Sequence, residues 1–144
     1  GNAISCRVSS SGVGWMKYVY DTNIFIYYLA DDDIVTSFFS PAFLSLHQIF
    51  ISPIVRIELL SFPTLSKEEE QIIEDLLSQF ELIPILREIE DLTIQLKRQY
   101  KIKIPDAIIA ATTLSQNGCL VTRNVDDFKG ISGLNIKNPF IDEG

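Results

Sequence analysis

Short apolar runs alternate along the chain with longer segments in which apolar residues recur every three or four positions. The short runs predict five strands, at residues 17–21, 48–52, 81–85, 119–122 and 134–136. The longer segments predict helices between them, at residues 22–30, 34–47, 53–61, 66–80, 87–100 and 105–117. Strands that alternate with helices form a parallel sheet covered on both faces, so the pattern predicts one α/β domain.

Local signals mark where several of these helices begin or bend. Ser66 and Glu69 have the spacing of a capping box, in which each residue bonds the other's backbone. Pro53 and Pro105 each suit the first position of a helix, where no backbone donor is needed. Pro41 predicts a bend within the second helical segment.

The composition limits the class of protein. The 144 residues are 47% hydrophobic and carry a formal net charge of −7. That apolar content supports a packed core, while no apolar run approaches the roughly 20 residues that cross a bilayer, so no membrane association is expected. The net charge argues against a generally basic nucleic-acid binder, but it allows contact with nucleic acid through a divalent cation.

The start of the chain differs from the rest. Residues 1–15 lack the long apolar core of a signal peptide. We interpret residues 1–15 as a flexible leader and residues 16–144 as the single domain. Cys6 and Cys119 are too few to suggest a disulfide framework, so a reducing cytoplasm is the expected location.

Three carboxylates stand alone in apolar segments that look buried. Asp21 ends the first strand, Glu58 follows the second strand by about one helical turn, and Asp106 opens the helix before the fourth. Burying an unpaired carboxylate costs on the order of several kcal/mol. Each acid has an ordinary explanation: a helix N-cap for Asp21, a pair with Arg56 or Lys67 for Glu58, and the helix dipole for Asp106. None of these explains why all three share an apolar setting.

The predicted topology brings these acids to one edge of the sheet. Ligands bind open parallel sheets at the carboxyl ends of the strands, near the point where strand order reverses. Asn124 and Asp127 follow the fourth strand and would lie at the same edge. Converged carboxylates repel one another and are tolerated mainly around a hard cation such as Mg²⁺ or Mn²⁺. The sequence therefore predicts that Asp21 is a metal ligand.

At these residues the sequence resembles the PIN-domain ribonucleases, and more closely the VapC toxins of type II toxin–antitoxin systems. The resemblance rests on four motifs in family-like order and spacing: "YVYDTNIFIYYL", "SPIVRIELLSF", "KIPDAIIAAT" and "LVTRNVDDFKGISGLNIKNPF". It implies a three-layer α/β/α fold with a central, mostly parallel sheet of four to five strands. It also implies a Mg²⁺- or Mn²⁺-dependent endoribonuclease, usually a homodimer, and a cognate antitoxin that blocks the site.

The resemblance also assigns roles to individual residues. Asp21 and Asp106 would be the principal metal ligands, and Glu58 would complete the acidic triad, directly or through a metal-bound water. Asn124 stands where many PIN domains carry Asp and where VapC-like members often have Asn. Asp127 then either supplies the missing fourth charge or caps a short helix. The predicted catalytic set is thus Asp21, Glu58, Asp106, Asn124 and Asp127. The site would be supported by Thr22, Asn23 and Thr122.

The residues favour hydrolysis by a metal-activated water. No side chain resembles a protein nucleophile with its base, because the single histidine, His47, lies far in sequence from the acids. One or two ions would serve. RNA contact is predicted for six basic residues: Arg56, Lys97, Arg98, Lys101, Lys103 and Arg123. For the run at 97–103 the alternative is a solvated helix end whose cations complement the helix dipole.

Three other functions compete with this interpretation. A PIN-like domain that binds RNA or a protein partner without cleaving is kept open by Asn124. A phospho-accepting receiver domain would need an acidic pair after the first strand, but Asp21 is followed by Thr22 and Asn23. A dehalogenase-type phosphatase would need an aspartate at position 23.

Overall fold

The computed structural model describes residues 16–141 and the strand Ile4–Ser5. Six parallel strands form one sheet: β1 Ile4–Ser5, β2 Lys17–Tyr20, β3 Gln48–Ile51, β4 Glu81–Leu82, β5 Cys119–Val121 and β6 Asn135–Lys137. Their spatial order is β1-β6-β5-β2-β3-β4. The α/β class and the five predicted strands are confirmed. β1 is a sixth, two-residue strand from the segment predicted to be a leader, and the rest of that segment lies outside the described residues.

Eight α-helices connect and cover the strands in this part of the chain: α1 Thr22–Leu29, α2 Asp33–Thr36, α3 Pro41–Leu46, α4 Pro53–Leu60, α5 Lys67–Leu77, α6 Arg87–Gln99, α7 Ile104–Ser115 and α8 Val125–Phe128. A 3₁₀ helix, Ser37–Phe39, lies between α2 and α3. The predicted bent helix at 34–47 is therefore wrong in detail. The chain breaks at Ser40, which has an extended backbone and caps α3, with Pro41 as the first helical residue.

Two apolar layers enclose the sheet. Alternate residues of β2 point to opposite faces, so that Tyr18 and Tyr20 join one cluster of buried side chains and Val19 joins the other. The first cluster packs α1, α4 and α5 on the sheet, and the second packs α6, α7 and α8. The expected three-layer α/β/α architecture is confirmed.

The centre of the sheet fixes where a ligand would bind. β2 lies between β5 and β3, and the strand order runs outwards from it in both directions. The backbone N–H of Asp21, just past β2, donates to the carbonyl oxygen of Val121 in β5 at 2.9 Å. The carboxyl ends of these central strands form the topological switch point, the usual ligand site of open α/β sheets.

His47 has a structural role in this fold. Its Nδ1 accepts a hydrogen bond from the backbone N–H of Met16 at 2.8 Å, and its ring packs edge-on against Tyr18. Partial burial lowers the pKa of His47, so the imidazole is neutral as an acceptor. These contacts lie at the amino end of β2, opposite the edge that carries Asp21.

Two further findings concern location and redox chemistry. Cys119 is buried in β5 and is bonded in a disulfide, which corrects the expectation drawn from the low cysteine content. Among the described residues, no helix is long and apolar enough to cross a membrane. A cytoplasmic location stays a prediction.

Candidate functional site

Asp21 is buried at the junction of β2 and α1, with 4% of its surface exposed. Its Oδ1 accepts the backbone N–H of Thr22 at 2.8 Å, which makes Asp21 the N-cap of α1. Its Oδ2 accepts the Thr122 hydroxyl at 2.8 Å and the Asn23 side-chain amide at 3.0 Å. Burial raises the pKa of Asp21, and these hydrogen bonds oppose that rise.

This bonding pattern leaves acceptor capacity on one oxygen. A carboxylate oxygen has two lone pairs, and both pairs of Asp21 Oδ2 are engaged by Thr122 and Asn23. Oδ1 has a single partner, so one lone pair remains for a further ligand. The N-cap role and a metal-ligand role are therefore compatible in this residue.

Thr122 links the end of β5 to α1. Its hydroxyl donates to Asp21 and accepts the backbone N–H of Asn124 at 3.0 Å and the side-chain amide of Asn23 at 3.2 Å. The Asn23 side-chain oxygen in turn accepts the backbone N–H of Arg123 at 3.2 Å. The three residues predicted to support the site thus form hydrogen bonds to its acids, since Thr22 bonds Glu58 as described below.

Glu58 differs from its expected setting. Glu58 is exposed on α4, whose buried side chains are Val55 and Leu59. The prediction that Glu58 lies in a buried segment is therefore wrong. The apolar residues around Glu58 in sequence fall on other faces of the helix. Its Oε1 accepts the Thr22 hydroxyl at 2.6 Å, which holds the carboxylate beside the start of α1.

Asp106 stands in the first turn of α7 and is half-buried. Its pKa is raised to about 6, first by burial and then by the negative charges of Asp21, Asp127 and Glu58, with Lys103 lowering it. Three carboxylates from three other elements therefore act on Asp106. Repulsion of this kind is typical of functional sites, where a cation or a proton relieves it.

Asn124 and Asp127 flank the other side of the site. Asn124 occupies the N-cap position of α8 but its side chain makes no capping hydrogen bond. Asp127 lies inside α8, so it does not cap the helix, and its charge acts on Asp106. Asp126 forms a surface ion pair with Lys129 at 2.9 Å, as expected of a solvated neighbour.

The candidate ligand atoms are of the type that a hard divalent cation binds. Every candidate ligand offers carboxylate oxygen, which Mg²⁺ and Mn²⁺ prefer. Within the described part of the chain, no three Asp, Glu, His or Cys side chains already stand close enough together to hold one metal ion. Glu58 and Asp127 are exposed, so their rotamers can change without repacking the core.

The raised pKa of Asp106 yields a test of stability. The folded chain binds this proton more tightly than the unfolded chain, so ionised Asp106 destabilises the fold as pH rises from about 4 through about 6. We expect Asp106→Asn to stabilise the protein at pH 7.5 in EDTA by about 1 kcal/mol after allowance for solvent screening, or about 3 °C. The gain should shrink at pH 4.5. Thermal unfolding at both pH values measures it.

The matched control for this experiment is Asp91→Asn. Asp91 is exposed on α6 and forms no ion pair with the residues that the structure describes. Its replacement should change the unfolding temperature little at either pH. An Asp106→Asn variant that is no more stable than the parent at pH 7.5 would contradict the assigned repulsion.

The predicted RNA-binding residues divide into two groups. Arg56 is engaged by Glu74 through two hydrogen bonds, of 2.8 and 3.0 Å, and Lys97 donates to the Ile102 carbonyl at 2.6 Å. The others are exposed and form no ion pair among the described residues: Arg98, Lys101, Lys103 and Arg123. Sequence reasoning missed that Arg123 contacts the rings of Tyr27 and Phe140, because these two residues lie far apart in the chain.

Comparison with known proteins agrees with this arrangement. The family model for the PIN domain matches residues 18–134, which span all the candidate acids. The chain belongs to the PIN domain family. No curated protein matched the chain.

Solved structures extend the comparison. The chain is similar to a chain of a toxin–antitoxin complex from Klebsiella pneumoniae, at 31% identity and a TM-score of 0.71, covering 87% of this chain and 99% of that one. It is also similar to VapBC-1 from nontypeable Haemophilus influenzae, at 28% identity and a TM-score of 0.70, covering 88% and 100%. VapBC2 from Rickettsia felis, solved with a promoter DNA fragment, matches at 26% identity and a TM-score of 0.69, covering 85% and 98%. The expected VapC-type PIN fold is confirmed.

Proposed function

We propose that this PIN domain is a metal-dependent endoribonuclease and the toxin of a toxin–antitoxin pair. The observation that carries the proposal is Asp106, whose pKa is raised to about 6 by burial and by three other carboxylates at the switch point of the sheet. Acids arranged this way favour binding of a cation. The similarity to toxin–antitoxin proteins supports the biological role.

The residues take distinct roles in this proposal. Asp21 and Asp106 hold the metal, Glu58 acts on it directly or through water, and Asp127 supplies the fourth negative charge. When bound, Mg²⁺ or Mn²⁺ makes a water more acidic and neutralises charge on the phosphate. The chain provides the orientation, through hydrogen bonds to the acids from Thr22, Asn23 and Thr122.

A protein nucleophile is not part of the proposal. The single histidine of the sequence, His47, accepts a hydrogen bond from Met16 at the opposite end of β2. The Thr122 hydroxyl takes part in three hydrogen bonds, one of them to Asp21, and the Thr22 hydroxyl donates to Glu58. Water activated at the carboxylates is therefore the nucleophile that this site supports best.

An antitoxin and a second copy of the chain are the proposed protein partners. Exposed apolar side chains support a protein partner: Ile26, Phe62 and Ile72 are 42%, 50% and 57% exposed. They line one groove between α1, α4 and α5. A contiguous exposed apolar surface is typical of a protein interface. The solved relatives named above as complexes support the antitoxin in particular.

Cleavage of RNA under controlled metal conditions tests the enzymatic role. The purified chain is incubated with a pool of structured RNAs in Mg²⁺, in Mn²⁺ and in EDTA. We expect discrete cleavage products with either metal and none in EDTA, because the acids require the cation to activate water. Equal cleavage in EDTA would contradict the metal role, and no cleavage with both metals would contradict the nuclease.

A non-cleaving PIN domain is the second candidate. Two observations favour it: Asn124 at an acidic position of the family, and the absence of three gathered ligands among the described residues. Metal binding distinguishes the two functions. A metal-induced rise in unfolding temperature without turnover would favour the binding role, and turnover would exclude it.

A further inference from the structure

Arg123 occupies an unusual position beside the acidic site. Its guanidinium carbon lies 4.2 Å from the ring centre of Phe140 and 5.1 Å from that of Tyr27. The two rings contact each other with their centres 4.8 Å apart. Cation–π contacts at these distances restrict the orientation of the side chain while its polar edge faces solvent. The charge of Arg123 is therefore held at a fixed place.

The charge of Arg123 is not neutralised within the described chain. Arg56 shows the alternative, since its guanidinium is bound by both oxygens of Glu74. Arg123 forms no ion pair with any described residue, although the chain carries a net charge of −7. An oriented arginine on aromatic rings with its donors unused is suited to an external anion.

Two hydrogen bonds connect Arg123 to the candidate metal ligand. Its backbone N–H donates to the Asn23 side-chain oxygen at 3.2 Å, and the Asn23 amide donates to Asp21 Oδ2 at 3.0 Å. The position of Arg123 is thereby coupled to that of Asp21. Asp127 lines the same cleft as Arg123 and its charge acts on Asp106, so an anion bound in this cleft would lie beside the acidic site.

A cleft opens at the same place with a mixed polar lining. Its residues are Arg123, Asn124, Val125, Asp126, Asp127, Asn138 and Ile141. These groups match those of a nucleotide. The one cation would bind the phosphate, the two amides would bind base edges, and a carboxylate would accept a hydrogen bond from the 2′-hydroxyl. Asp126 is paired with Lys129, so Asp127 is the carboxylate of the lining without an ion pair among the described residues. An acidic peptide would bring several negative charges against it, whereas a nucleotide brings one.

We propose that Arg123 binds a phosphodiester of single-stranded RNA adjacent to the one that is cleaved, and that the cleft beside it receives the attached nucleotide. Tyr27 and Phe140 are positioning residues, because they act through the guanidinium. An unpaired strand is required, since a base enters such a cleft only when it is free of a duplex. This inference rests on the proposed function of the acidic site.

Equilibrium binding in EDTA tests the inference without turnover. A fluorescent single-stranded RNA is titrated at several salt concentrations with the parent chain, Arg123→Met and Arg123→Lys. We expect Arg123→Met to weaken binding about tenfold and to lower the slope of log affinity against log salt by about 0.7, the value for one phosphate contact on a single strand. Arg123→Lys should restore the slope but only part of the affinity, because lysine keeps the charge and loses the planar fork.

The matched control is Arg87→Met, which removes an equal charge from an exposed arginine at the start of α6, outside the cleft and outside the predicted RNA contacts. It should leave the salt slope unchanged, and thermal unfolding verifies that each variant is folded. Phe140→Leu should weaken RNA binding about threefold while the salt slope stays near that of the parent, since the charge remains but is less fixed.

Each outcome decides the inference. Unchanged affinity and slope in Arg123→Met would overturn it, as would failure of the parent chain to bind the RNA. Selective loss of binding to a hexaglutamate peptide, with RNA binding intact, would also overturn it and assign the cleft to an acidic protein. RNA binding that depends on Arg123 in a chain that cleaves nothing would support the phosphate contact of Arg123, while the nuclease proposal and the placing of that phosphate next to a cleaved one fail.

Discussion

Asp21→Asn is expected to lower metal-dependent RNA cleavage by at least about a hundredfold, because loss of a group that only orients a metal ligand already costs 10- to 100-fold. The neutral amide weakens the attraction for the cation. Asparagine also has only one side-chain oxygen, so its –NH₂ group replaces an acceptor. That –NH₂ group would face another donor, either the Thr22 backbone N–H or the Asn23 amide. Single-turnover cleavage in Mg²⁺ measures the loss.

Asp32→Asn is the matched control for this substitution. Asp32 is also an aspartate N-cap, with its side chain accepting the Ile34 backbone N–H at 2.9 Å, but it is not among the groups that act on Asp106. Asparagine caps helices as well as aspartate does, so both variants should remain folded. Only Asp21→Asn should lose cleavage and the metal-induced rise in unfolding temperature. Cleavage by Asp21→Asn within a fewfold of the parent would exclude Asp21 as a principal ligand.

Phe25→Ala is expected to destabilise the fold by about 3–5 kcal/mol, a large part of the roughly 5–15 kcal/mol that stabilises a typical domain. Phe25 has 0% of its surface exposed. Its ring packs against Phe80, Phe39 and Tyr20, with centres 5.2, 5.4 and 5.9 Å away. Removal leaves a cavity between α1 and the sheet. Urea unfolding followed by circular dichroism measures the free energy lost.

The neighbouring residue provides the control on the same helix. Ile26 is 42% exposed, so Ile26→Ala should change the free energy of unfolding by about 0.5 kcal/mol or less. Equal losses in the two variants would contradict the packing described for α1. The comparison matters for function because α1 begins with Thr22 and Asn23, whose side chains bond the acids.

The elements of the fold were predictable where local signals are strong. Ser66 and Glu69 form the predicted capping box, with bonds of 2.9 and 3.1 Å, because both partners lie within one helical turn. The segment 34–47 was not predictable in detail. Its apolar residues suited a continuous helix, but α2 passes into a 3₁₀ helix at Ser37, and the extended backbone at Ser40 separates both from α3.

The candidate site was predictable only in part. Asp21 and Asp106 were found as isolated charges at the ends of predicted elements, and Asp127 from its place beyond the fourth strand. In the structure the charges of Asp21 and Asp127 act on Asp106. Exposure of Glu58 was missed, because an apolar stretch of sequence does not say which helix face is buried. The aromatic contacts of Arg123 were also missed, since Tyr27 and Phe140 lie in distant segments.

The sequence by itself determined the order of strands and helices and the placing of acids where strands end and helices begin. Those features depend on residue periodicity and on caps that act within a turn or two of chain. The tertiary structure alone decided that Thr22 bonds Glu58, that Thr122 bonds Asp21, and that Arg123 lies on two rings. These contacts join residues far apart in the chain, and they exist because packing of the sheet and its helices brings those residues together.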